Sequence, residues 1–296
     1  MSFFYKNDGA AMKKNVLIAG CGDVGCELAR QLLDTDNYSV WGLRRSIDRL
    51  PQGVHPVQGD LSNPEQLGNW PNKIDYVVYA AASDGSGQDN YQKAYLRGLS
   101  NVLSRLQAQG HRPERVLFTS STGSYHQDDG QWVDETSPTH PVRYSGKIML
   151  EAEAILINSP FPATAVRFGG IYGPGRNRMI NRVKAGEGCE AEPVIYGNRI
   201  HRDDCAGILA HLIRRDEQKL PVDSLYLGVD HEPAPMYEVL HWLAAQLGIV
   251  LDDSHPAPQR GSKRCSNQKI IDAGYTFRYP NYRAGYSELL SSTSYE

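Results

Sequence analysis

The stretch VLIAGCGDVG, residues Val16 to Gly25, decides the fold. Its first four residues, Val16 to Ala19, form a continuous apolar run of the kind that fills a strand buried on both faces. Gly20, Gly22 and Gly25 follow with G-x-G-x-x-G spacing. Such a turn binds a dinucleotide for three separate reasons: one glycine permits the tight turn, the second lets the backbone approach a pyrophosphate, and the third lets helix pack on strand. Val24, Leu28 and Leu32 then repeat at helical spacing. The phosphates would sit on the free N–H groups and positive dipole end of that helix. Cys21, Asp23 and Val24 belong to the same turn and join the three glycines as expected cofactor contacts. Cys21 is read as a small residue filling space beside the cofactor, with a redox switch as the alternative.

Outward from this turn, short apolar strands alternate with helical segments. Tyr38 to Leu43, Val54 to Val57, Ile74 to Ala82 and Arg115 to Thr119 read as strands, and a long helix is expected from about Asn90 to Gln109. This alternation gives an α/β fold, a Rossmann-type doubly wound parallel sheet. Arg44 and Arg45 close the second strand, about 20 residues past the glycines. An acidic residue there would hold the ribose 2′-hydroxyl of NAD. An arginine fork instead grips a phosphate in two places, which points to NADP, with NAD as the alternative. Asp60, beside Leu61, would accept from the adenine amino group or cap the helix beginning near Pro64. Ala80, Ala81 and Ala82 are small enough for a flat cofactor to lie over the strand ends.

The whole chain sets outer limits. With 296 residues there is room for one large α/β domain or two modest ones. A net charge of −3 gives no bulk electrostatic case for nucleic acid or an anionic membrane. No apolar run approaches the roughly 20 residues needed to cross a bilayer. The five cysteines are scattered, without a C-x-x-C pair, which suggests reduced thiols in a cytoplasmic protein and no metal site. Residues 1–14 read as an N-terminal extension, with Met12 a natural start.

Several further segments carry a family resemblance. The glycine turn, Gly59-Asp60-Leu61, Val78 to Ala82, the run Phe118 to Tyr125, Tyr144 to Glu151, Ile171 to Arg176, and His201 to Asp204 occur in the order seen in the extended short-chain dehydrogenase/reductases, also called the NAD-dependent epimerase/dehydratase family. The likeness runs from about Asn15 to Tyr286. It implies a Rossmann domain over residues 15–172 plus about 201–230, and a smaller C-terminal substrate lobe over 173–200 plus about 231–296. It also implies a strand near Ser224 to Val229 rejoining the main sheet. A homodimer would pair through the helix near Asn90 to Gln109 and the one carrying Lys147.

The resemblance implies a reaction centre of Ser121, a tyrosine and Lys147, where the serine orients the substrate oxygen. The lysine would hold the nicotinamide ribose and lower the phenol pKa from its usual value near ~10, so that the tyrosine can pass a proton. The sequence departs from the pattern here. Four residues before Lys147 stands Arg143; Tyr144 is only three before. The branch with this displaced tyrosine often keeps the cofactor fold without the reactive phenol. Gly170 also replaces an asparagine common in the nucleotide-sugar enzymes, which removes a hydrogen-bonding group from the expected substrate wall. Two functions stay open: an NAD(P)-dependent oxidoreductase or epimerase/dehydratase-like enzyme acting on a small polar carbonyl or alcohol, or an NADP(H)-binding sensor without turnover. Arg176, Arg178 and Arg199 are candidates for an anionic substrate.

Overall fold

The structure is a computed structural model and describes residues 13–256 and 261–292. The expected extension falls, up to residue 12, outside the described residues. The glycine-turn strand β1 (Lys14–Ala19) is central to a seven-stranded parallel sheet. The other strands are β2 (Tyr38–Arg44), β3 (His55–Gln58), β4 (Tyr76–Tyr79), β5 (Arg115–Ser121), β6 (Ala163–Phe168) and β7 (Leu225–Gly228). Their spatial order is β7-β6-β5-β4-β1-β2-β3. Val16 to Ala19 are fully buried, which is why the strand reads as an unbroken apolar run. Val16 and Ile18 pack on one face of the sheet, and Leu17 and Ala19 on the other.

Each face is covered by helices. On the Val16 face lie α1 (Asp23–Leu33) and the later helix over Arg202–Glu217, whose buried Ile208, Leu209 and Leu212 join Leu28 and Leu32 in one cluster. Gln31 ties the two helices by donating to the Asp203 carbonyl at 3.0 Å. On the Leu17 face lie the helices Gly98–Ala108 and Tyr144–Ile157. The first of these continues a short helix, Gln88–Tyr91, through a π-helical turn, Gln92–Arg97. The expected long helix from about Asn90 to Gln109 therefore exists but is wound wider near its start. The expected strand from Ile74 to Ala82 is shorter, Tyr76–Tyr79; its alanines form the loop beyond the strand end.

A third cluster stands apart from the sheet. Tyr172, Ile180, Val183 and Cys189 meet Val239, Leu240 and Leu243 of the amphipathic helix Met236–Leu247 and Tyr282, Tyr286 and Leu289 of the helix Tyr282–Ser292. Ile270, Ala273 and Phe277, within the stretch expected in the smaller lobe, pack instead into the core of the large sheet. All five cysteines are free and buried. Among the described residues no helix is long and apolar enough to cross a membrane.

Where the third cluster meets the sheet, Asp230 is buried beside Arg199. Its Oδ1 accepts from the Glu232 amide, whereas Oδ2 has no hydrogen-bond partner among the described residues. Burial pushes its carboxyl up to about 8, against the pull of that amide and of Arg199. Below the ordinary carboxylate range both folded and unfolded chains hold this proton. From there up to about 8 only the folded chain holds it, so folding loses stability as pH rises through that window. Asp230→Asn is expected to stabilise the protein by at least about 1 kcal/mol at pH 7. The gain should vanish near pH 4, as read by urea unfolding at both pH values.

Candidate functional site

The carboxyl ends of β1, β2, β4 and β5 converge on a cleft of about 590 Å³. At its floor the chain reverses out of β1. The Leu43 carbonyl accepts from both the Gly20 and Cys21 amides at 3.0 Å, and the Gly20 carbonyl accepts from Gly22 at 2.7 Å. Gly20 has φ +87°, and a Cβ placed there would lie 2.5 Å from the Ala81 backbone. No other residue fits. Gly22 stands at the N-cap of α1 without a side-chain cap, and a Cβ there would meet only the Gly20 carbonyl, at 3.9 Å. The helix start is thus open toward the cleft, with its dipole end and first-turn amides available to an anion. Gly25 serves packing: a Cβ would come within 3.0 Å of the Gly20 carbonyl and of Ile18. This cradle fits a dinucleotide.

Gly20, Gly22, Asp23 and Val24 line the cleft, together with Arg44, Arg45, Asp60, Leu61, Ala80, Ala81, Ala82 and Ser121. Cys21, Gly25, Tyr144 and Lys147 do not. The Cys21 side chain turns into the core, where a Cβ on Gly42 would meet its sulfur at 3.1 Å, so it fills space on the side away from the cleft. Arg44 is folded back, donating to the Cys21 carbonyl at 3.1 Å and approaching Cys26 Sγ at 3.7 Å. Cys26 Sγ donates to the Cys21 carbonyl at 3.3 Å, and its thiol is lowered to about 7, first by the neighbouring Cys21 side chain, with help from Arg44 and Arg30 against burial. Asp60 accepts from the amide and hydroxyl of Ser62. Asn63, not Asp60, caps the short helix Pro64–Gln66.

The helix Tyr144–Ile157 shows why the expected reaction centre is not assembled. Gly146 packs on the turn after β5 so closely that a Cβ would sit 2.5 Å from the Gly123 carbonyl. This contact fixes the rotation of the helix. Ser145 and Met149, four residues apart, then face the cleft. Lys147 lies two residues from each, roughly 200° around the axis, and is exposed. Tyr144 begins the helix, 36 % exposed, and meets Tyr91 edge-on with ring centroids 5.6 Å apart. Tyr91 itself lines the cleft.

Ser121 is well placed at the end of β5. Its Oγ accepts from the Gly123 amide at 3.1 Å, which leaves the hydroxyl proton for another acceptor. Beneath it, Ser120 donates to Glu153, which also takes a bidentate pair from Arg167 at 2.9 and 2.7 Å. This buried network stiffens the β5 end and was not legible in any local motif. Nor were Asn90, Tyr91, Lys93 and Tyr95, which reach the cleft from the π-helical turn and the residues before it. Of the arginine candidates, Arg176 lines the cleft and pairs with Asp23. Arg199 is buried away from it, donating to the Gly197 carbonyl at 2.9 Å. Arg178 lies on the helix Arg178–Lys184. His201 accepts from the Asp203 amide at 3.2 Å and so caps the helix Arg202–Glu217.

The fold and cradle define an NAD(P)H-binding protein, and the known proteins agree. The chain belongs to the NAD(P)H-binding family, whose model matches residues 20–216, and through it to the extended short-chain dehydrogenase/reductases. It is 28 % identical to protein YeeZ of Escherichia coli K12, over 90 % of this chain and 97 % of that one. A solved structure from Methylobacillus flagellatus, provisionally assigned as an NAD-dependent epimerase/dehydratase, is 37 % identical. It matches with a TM-score of 0.79 over 95 % of this chain and 99 % of its own. The human epimerase family protein SDR39U1, solved with NADPH, shares the fold at 19 % identity and a TM-score of 0.76, over 94 % and 99 % of the two chains.

The two turn glycines separate fold from binding. Gly22→Val should leave the melting temperature near wild type yet weaken NADPH at least about tenfold, because its side chain enters the space left for phosphate. Gly20→Ala should lower the melting temperature as well. Thermal unfolding and NADPH fluorescence titration on the same samples check both.

Proposed function

We propose that the protein is an NADP(H)-dependent oxidoreductase or epimerase-like enzyme acting on a small polar carbonyl or alcohol. The observation that carries this reading is Ser121, which lines the same cleft as the dinucleotide cradle and whose Oγ, accepting from the Gly123 amide, keeps its proton to donate. The bound cofactor would supply hydride chemistry; the chain supplies binding and orientation. Gly20, Gly22, Asp23 and Val24 would hold the pyrophosphate, Asp60 and Leu61 the adenine side, and Ala80 to Ala82 the flat middle of the cofactor. Arg44 and Arg45 would take the 2′-phosphate. Arg176, at the border with the third cluster, suits an anionic group on the substrate, with that cluster acting as the substrate lobe. A homodimer and a cytoplasmic setting belong to the same reading.

A second reading, NADP(H) binding without turnover, is supported by the exposure of Lys147 and by Tyr144 standing one ring away from the cleft. NADPH consumption against a panel of small aldehydes, ketones and hydroxy acids separates the two. The enzyme reading expects turnover that falls at least about 100-fold in Ser121→Ala, the scale of losing an oriented hydrogen-bond donor. Tyr144→Phe and Lys147→Ala should change it far less. Tight NADPH binding with no turnover on any substrate favours the second reading; no NADPH binding overturns both.

Cofactor choice has its own test. Arg44→Asp should weaken NADPH by about 10-fold or more and improve NADH, since a carboxylate repels the phosphate but accepts from a ribose hydroxyl. Unchanged preference would remove Arg44 from the 2′-phosphate site.

A further inference from the structure

The two loops that flank the glycine turn are joined by an ion pair. Arg45, just past the end of β2, donates to Asp84, in the loop after β4, through both arms of its guanidinium: Nη1 to Oδ2 at 2.7 Å and Nη2 to Oδ1 at 2.6 Å. The sheet order places β1 between β2 and β4. The bridge therefore spans the strand end from which the dinucleotide cradle emerges, and both residues line the cleft. Asp84 sits in a bend shaped by Gly85, φ +151°, and by the Ser83 hydroxyl donating to the Gly85 carbonyl at 2.9 Å. The two side chains are 65 % and 62 % exposed. An exposed pair of this kind contributes little to stability, so it opens readily when a better partner arrives.

We propose that Asp84 sets the cofactor preference of the cleft by competing with the NADP 2′-phosphate for the Arg45 fork. The inference rests on the reading of Arg45 as a 2′-phosphate ligand. A guanidinium has one planar fork, and a carboxylate and a phosphate both use it in the same bidentate manner. In the structure Asp84 occupies it. A 2′-phosphate, carrying nearly two negative charges at neutral pH, must displace the carboxylate and then sit near it. NADH carries no such phosphate and makes no claim on the fork. Asp84 thus acts against NADPH alone, and restrains a preference that Arg44 and Arg45 would otherwise make steeper.

The test is a binding measurement on the full chain. NADPH and NADH affinities are taken by fluorescence titration for wild type, Asp84→Asn, Arg45→Gln and the double variant. Asp84→Asn should tighten NADPH about three- to tenfold and change NADH less than twofold. The gain should disappear in the Arg45→Gln background. An Asp84→Asn variant that shifts both cofactors equally, leaves NADPH unchanged or weakens it overturns the proposal, as does a gain that survives Arg45→Gln. Because Asp84 is exposed, thermal unfolding of each variant verifies that the fold is kept. If wild type binds NADPH while Asp84→Asn has no effect, only this inference fails. If wild type binds no NADPH, the cofactor reading fails with it.

Discussion

The site depends on one steric constraint, the approach of the Gly20 backbone to Ala81. A side chain at Gly20 would collide with backbone, not with a movable side chain, and its positive φ excludes most residues independently. With that contact made, the end of β1 is pinned between β2 and β4. Leu43 receives two amides from the turn on one side, and the Ala80 amide donates to the Ala19 carbonyl at 2.8 Å on the other. Three strand ends are thereby fixed in a row, and α1 leaves from Gly22 with its first-turn amides facing the gap. The cradle follows from backbone packing, before any side chain has been consulted.

A second close approach governs the opposite end of the cleft. Gly146 against the Gly123 carbonyl sets how the helix Tyr144–Ile157 is rotated, and the buried Glu153–Arg167 pair holds it there. A buried pair of this kind is a weak source of net stability, but removing one partner costs about 3–5 kcal/mol. The helix is therefore locked in rotation far more firmly than its surface residues require. This is the physical reason that Tyr144 and Lys147 are not free to swing toward Ser121: bringing Lys147 inward would turn Met149 and Glu153 outward.

The strands β1 to β5 and the glycine cradle were legible because they rest on local rules: apolar runs, glycine spacing and β–α alternation. The returning strand β7 was expected from the family resemblance and lies within the predicted stretch. The wall formed by the π-helical turn was not legible, since that winding leaves no spacing pattern of its own; within it the Ala94 carbonyl accepts from the Tyr79 hydroxyl. Nor was the Arg45–Asp84 bridge, which joins residues 39 apart through the sheet order. Asp60 shows an intermediate case, with its position in the cleft foreseen and its helix-capping role taken instead by Asn63.

The displaced tyrosine gains a sharper meaning from this geometry. On sequence grounds, a shift of one residue looks recoverable, since steps of three and four both return to nearly the same helix face. The packing removes that freedom. Ser145 and Met149 now hold the i and i+4 positions facing the cleft, one a short hydroxyl and the other an unionisable thioether. Neither supplies a cation to lower a phenol pKa, and a serine hydroxyl is a poor base without one. Under the proposed enzyme reading, a proton for the substrate oxygen would come through the hydroxyls that face the cleft, Ser121 among them. The cofactor cradle and the rotation of the helix Tyr144–Ile157 are thus set by two separate backbone contacts, Gly20 on Ala81 and Gly146 on the Gly123 carbonyl.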